Sequence, residues 1–248
     1  HTRFCQVTVV QTCALPICGG SPEALRLLKD RVEAAGISVA INGVVGDNTH
    51  RALSVAESRG FALADPLAPI IFVNGRDAKS AQAFTLLHEM CHLAFAQTGV
   101  SNAPGDEEPR TKMEGLCNSA AAEFLVPKGY LAAAWGRGPG TPHDKAEAIA
   151  RDCKVSLIVV ARKARDDGIV GEDEFLGLCR RYKGGLGEGR RRGGKGGNYY
   201  LGKQYRLGSV FSDAVRSAVH SDYLSHRDAY DLTGLSAPSF RKYFEGVA

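Results

Sequence analysis

The sequence predicts an α+β fold: a short sheet with one long motif-bearing helix, then a helical, helix-turn-helix-like C-terminal region. Three observations predict it. Strand signals are confined to residues 37–74, helical spacing of apolar residues governs most of the chain beyond residue 77, and the composition is that of a globular chain. The chain has 248 residues, of which 44% are apolar and 23% charged. That length suits one or two domains and can bury a core without disulfide or metal staples. No apolar run reaches the roughly 18 residues of a membrane-spanning helix, which excludes an integral helical membrane protein.

Residues 22–35 place Leu25, Leu28, Val32 and Ala35 at helical spacing, and Gly36 stops them. Residues 37–45 alternate around Asn42-Gly43, a hairpin signal. Leu67–Asn74 is a short apolar run that reads as a buried strand, with Pro69 near its start. Asp77 is placed to cap a helix running to about Gln97, with Phe84, Leu87, Cys91, Ala94 and Phe95 as its apolar stripe. Gly99–Arg110 reads as a loose segment. A second helix spans about Lys112 to Leu125 and ends before Pro127. Lys145–Cys153 and Leu157–Asp167, with Ser156 as N-cap and Gly168 as stop, form a helix-turn-helix pattern that reads as a packing unit. Glu172–Tyr182 is a further helix, and 208–246 holds short helices, one capped by Ser225.

Residues 1–20 are set apart. The chain opens on His1, and Val7–Ile17 (VTVVQTCALPI) resembles translated sequencing-adapter read-through. The stretch also imitates a signal peptide, but Gln6, Thr8, Gln11 and Thr12 interrupt the apolar core that one needs. Beyond it the cysteines are Cys91, Cys117, Cys153 and Cys179, whose spacings match no zinc-finger pattern. They read as buried free thiols in a reducing cytoplasm. The formal charge of +4 is uneven: Arg180–Arg206 holds nine Lys/Arg and one Glu. With nine glycines in 184–202, that tract reads first as a solvated loop and second as a weak, salt-sensitive nucleic-acid contact.

The chemistry concentrates in His88-Glu89-Met90-Cys91-His92, an HExxH. Positions i and i+4 share a helical face, so His88 and His92 can direct both imidazoles at one ion. Glu89 is displaced sideways, within reach of water at that ion. A catalytic zinc site needs a third protein ligand and an open fourth position. Glu114, 22 residues after His92 on the second helix, fits best, and Asn118 one turn later can take the outer N–H of a ligand histidine. Glu107, Glu108 and Glu123 compete. The first two lie in the loose segment, and Glu123 is about 180° around the helix from Glu114. Tyr130 and His143 are the nearest oxyanion donors in sequence, without motif support.

These residues resemble the ImmA/IrrE metallopeptidases. The matching stretches are Gly60–Asn74, Phe84–Leu93, Glu114–Pro127 and Cys153–Ala164, and the likeness covers about 30–248 with specific motifs only in 60–166. The Met90-Cys91 pair departs from the family, where small or leucine-like residues are more usual. The resemblance implies a small zincin-like peptidase core over 21–135, a helical extension over 136–183, a Gly/basic linker over 184–202 and a C-terminal helical segment over 203–248. It implies Zn2+ held by His88, His92 and Glu114, with Glu89 as catalytic base. It further implies Ile70, Ile71, Phe72 and Val73 as an edge strand that binds substrate, and a helix-turn-helix repressor of a mobile element or stress response as the protein cleaved. The alternatives are a non-proteolytic DNA- or repressor-binding regulator with a structural or vestigial zinc site, and a plain interaction module without metal.

Overall fold

The computed structural model describes residues 20–45, 48–96, 99–101, 111–185 and 199–245. Residues 1–19, Glu107, Glu108 and the Arg190-Arg191-Arg192 run of the basic tract lie outside them.

Helix α1 (Ser21–Ala34) starts at Pro22 and stops at Gly36, whose φ of +85° is open to glycine without strain. The strands are β1 (Ser38–Asn42), β2 (Val44–Val45), β3 (Asn48–Ala52), β4 (Gly60–Leu63), β5 (Ile70–Asn74) and β6 (Gly99–Ser101). Four of them form one sheet in the order β1-β5-β4-β6, and β2 pairs with β3 separately. β1 runs parallel to β5, while β4 is antiparallel to both β5 and β6.

Alternation along the strands sends Val39, Ile41, Ala62, Ile71 and Val73 to one face. There they meet Leu25 and Val32 of α1 and Ala83, Leu86 and Leu93 of α2 (Lys79–Ala94), forming the core of the sheet layer. Helix α3 (Lys112–Leu125) packs on α2 through Phe84, Leu87 and Ala121. Helices α4 (Lys128–Arg137), α5 (Pro142–Cys153), α6 (Leu157–Asp166) and α7 (Glu172–Gly185) enclose a second core around Leu131, Ile149, Val160 and Leu178. Helices α8 (Tyr199–Leu207) and α9 (Ser209–His220) lie along β1, and α9 joins α10 (His226–Thr233) and α11 (Ala237–Glu245) in a third core around Val215, Phe240 and Tyr243.

Four expectations change. The hairpin at Asn42-Gly43 does not form. β1 pairs with β5, and the Gly43 backbone passes so close to Arg76 that a Cβ would lie 2.7 Å from its Cγ. Asp77 does not cap α2: it pairs with Arg59 at 3.5 Å, and the cap position is Ala78. The buried Gln82 side chain instead donates back to the Gly75 and Asp77 carbonyls, tying down the turn before the helix. Part of the loose segment is strand β6.

The fourth change concerns substrate. Ile70–Val73 is not an edge strand, because β5 is hydrogen-bonded to β1 on one side and β4 on the other. Its backbone groups are taken, so it cannot accept an added strand. Within the sheet the edges are β1, covered by α8 and α9, and β6. The helix pair α5–α6 forms as expected, and α6 packs into the second core through Val160, Ala161 and Ala164.

Candidate metal centre

α2 is free of Gly and Pro, and its central turns are buried on almost every side, from Gln82 to Glu89. That rigidity fixes His88 and His92 on one face. Each is only 4% exposed. α3 crosses this face after the Thr111 hydroxyl caps it by accepting from the Glu114 backbone N–H. Glu114 thus sits in the first turn of α3, where the helix dipole favours a carboxylate.

The three side chains converge. His88 Nε2 and His92 Nε2 are 3.0 Å apart, and the Glu114 carboxylate reaches them at 3.2 and 3.3 Å. All three can place a ligand atom within 4.8 Å of the others. Glu89 is fully buried beside this cluster, beneath β4, where a Cβ on Gly60 would come within 3.3 Å of its Oε1.

The donor set fits a divalent cation. Two imidazole nitrogens and a carboxylate face one small volume, and one proton bridges only two of them at a time. The Nδ1 atoms of both histidines are buried and meet no hydrogen-bond partner among the described residues. Burial holds the His88 imidazole below its usual pKa, opposed by the Glu114 carboxylate; neighbouring His92 lowers it further. A neutral imidazole is the ligating form. The His88–Asn118 interaction favours the charged form of His88, yet Asn118 Oδ1 makes no hydrogen bond of acceptable geometry. It stands one turn after Glu114 with the buried Nδ1 of His88 as the partner its chemistry suits.

Other residues are displaced from the cluster. Glu123 pairs with Lys163 at 2.7 Å and accepts from the Lys128 backbone, so it braces α3 against α6 and α4. Tyr130 donates to Asp152 on α5. His143 lines a surface groove with Glu147 and Arg151. Cys91 and Cys117 hydrogen-bond to each other across the α2–α3 contact. That bond holds Cys91 below the ordinary thiol range against the opposing effect of burial, and it raises Cys117 above that range with burial acting in the same direction. Their partnership was hidden in the sequence because a pairing between two helices leaves no local pattern.

Residues 33–165 match the family model described as IrrE N-terminal-like domain, a peptidase M78 family. The chain belongs to this family. The match spans the sheet, the HExxH helix and the Glu114 helix of this IrrE-like peptidase, and runs on through α6. In the same IrrE-like chain, residues 207–246 match a domain of unknown function, DUF8813, which coincides with α9–α11. Searches of curated proteins and of solved structures return no significant match. No helix among the described residues is long and apolar enough to cross a membrane.

Proposed function

We propose that the protein is a zinc-dependent endopeptidase that cuts a helix-turn-helix transcriptional repressor of a mobile element or stress response in the cytoplasm. The observation carrying this reading is the convergence of His88 Nε2, His92 Nε2 and the Glu114 carboxylate beside the buried Glu89. His88, His92 and Glu114 would hold the ion, a ligand set of two histidines and one carboxylate that leaves a position open. Zinc at such a site supplies Lewis acidity, polarising a carbonyl and acidifying water.

The remaining chemistry falls to the chain. Glu89 takes the proton released as water adds to the scissile carbonyl carbon. It returns that proton to the amine nitrogen as the C–N bond breaks. Burial under β4 fixes the rotamer of Glu89 and limits competing water. Asn118 would hold the tautomer that leaves Nε2 free to ligate, by turning its Oδ1 onto the His88 Nδ1–H that now meets no partner.

The test combines metal content with turnover. Glu89→Gln keeps stoichiometric zinc and loses roughly 10²–10⁴-fold in cleavage of a helix-turn-helix repressor substrate. His88→Ala loses both. Cleavage that persists in Glu89→Gln, or after exhaustive chelation, overturns the mechanism. Salt-sensitive DNA binding without cleavage favours the regulator with a vestigial site.

A further inference from the structure

A cavity of about 260 Å³ lies between α2, α3 and α6. Two of its lining residues adjoin the ligand cluster: Phe84 is one turn before His88, with ring centroids 6.4 Å apart, and Asn118 is one turn after Glu114. The floor is apolar, formed by Phe84, Ala122, Ile158 and Val159, while Arg59, Arg162 and Arg165 stand around it against Asp166. The guanidinium groups are braced rather than loose. Arg59 pairs with Asp77 at 3.5 Å, and Arg165 meets Asp166 and Glu172 and lies 4.4 Å over the Phe175 ring.

A second, wider cavity of about 620 Å³ shares Ser80 and Ser156 with the first. It opens onto Arg151, Lys154 and Arg181, with Glu147 as its carboxylate. The two cavities therefore adjoin at Ser80 and Ser156, as the inner and outer parts of a groove. Six cationic side chains line it against two carboxylates, an excess equal to the +4 of the entire chain.

We propose that this groove seats an acidic segment of the polypeptide substrate. An aliphatic side chain enters the floor between Phe84 and Val159, and Asp or Glu residues further along meet Arg151, Lys154 and Arg181. The inference rests on the peptidase reading and deepens it by naming the substrate's charge. A nucleic acid fits less well. The inner cavity is about the size of one or two side chains, and its floor is largely aliphatic rather than a platform for stacked bases. Complementary charge of this kind steers encounter and sets partner choice.

The binding experiment uses the full chain, both chelator-treated and as Glu89→Gln, so that neither metal nor turnover is required. The probe is a fluorescein-labelled peptide of Glu, Asp and Leu, compared by anisotropy with one in which Lys replaces both acids. The acidic peptide binds, and R151E/K154E weakens it by about tenfold. S119W, placed at an exposed helical position on the cavity wall, weakens it comparably by filling the inner cavity. R227E/R241E on α10 and α11 makes the same change of charge at exposed positions elsewhere and leaves binding intact. Equal binding of the Lys peptide, indifference to R151E/K154E, or tighter binding of a single-stranded DNA oligonucleotide overturns the proposal. Failure here leaves zinc-dependent cleavage untouched, and failure of cleavage in the metal test leaves this binding curve untouched, so the two readings fall separately.

Discussion

At His88 two forces oppose each other. Removing the imidazole from water favours its neutral form, and the Glu114 carboxylate at 3.2 Å favours its charged form. Burial wins, and the folded-state pKa lies below the ordinary 6.5. The unfolded chain therefore binds more protons than the folded one as pH falls past that value, and stability falls with it. The contribution is fully present above 6.5 and is lost as pH drops toward the depressed folded value. The apo protein is expected to show a denaturant midpoint that declines between pH 7 and 5, and His88→Gln should flatten that decline. The lowered pKa values of Asp65 and Asp144 act in a different window, below 3.8, and do not mimic it. An equal slope in wild type and His88→Gln would remove His88 from the account. The same neutrality serves metal binding, because a protonated imidazole cannot ligate.

Among the elements, the contact between β4 and α2 holds the site together, and it turns on one glycine. A Cβ at Gly60 would lie 2.6 Å from Thr85 Cγ2 and 2.7 Å from the Phe72 carbonyl, neither of which can withdraw cheaply. Gly60→Val is expected to cost about 1–3 kcal/mol in denaturant unfolding, as overpacking does. Because Glu89 Oε1 lies next in line, turnover should fall by more than the stability loss explains. Unchanged kcat in a Gly60→Val protein that still folds would separate Glu89 from β4. The sequence makes some of this legible and hides the rest. The HExxH helix and the Glu114–Asn118 pair are readable because helical spacing is local: i and i+4 meet wherever the helix sits. Strand partners are not local. β4 has only four residues, with Phe61 and Leu63 half-exposed, and Asn42-Gly43 carries a turn signal although β1 pairs with a strand some thirty residues away. The run Ile70–Val73 itself reads as a buried strand, and its edge role comes only from the family resemblance. An apolar run reports burial without saying which neighbours supply it, and here they lie on both sides. Helix α4 escapes because Gly129 and Gly136 weaken its pattern; only Leu131 is fully buried, in a core built with α5–α7.

Across the whole molecule, the C-terminal helices are tied to the peptidase sheet by a buried carboxylate. Glu33 at the end of α1 is 6% exposed, pairs with Lys29 at 2.8 Å, and accepts from both the backbone N–H and the hydroxyl of Ser209 at 2.9 and 2.8 Å. The N-terminus of α9 thereby gains an anion where its unpaired N–H groups and dipole favour one. Gly208 makes the approach possible. Its φ is +83°, and any Cβ there would lie 2.6 Å from both the Glu33 carboxylate and the Val39 carbonyl of β1. The junction thus closes the β1 edge of the sheet, which would otherwise offer unpaired backbone to another chain. Glu33→Ala removes one partner of a buried pair and leaves Lys29, itself 5% exposed, without its counter-charge. A loss of about 3–5 kcal/mol is expected. Its location matters more than its size. Hydrogen exchange should quicken in α8, α9 and β1, while α2 and α3 keep their protection and zinc still binds, since neither His88 nor Glu114 touches this junction. Glu33→Gln, which keeps an acceptor for Ser209 but drops the charge, should fall between the two. If exchange instead quickens first in α2, the three cores are not separable in this way, and the sheet depends on its C-terminal cover for the geometry of the metal centre itself.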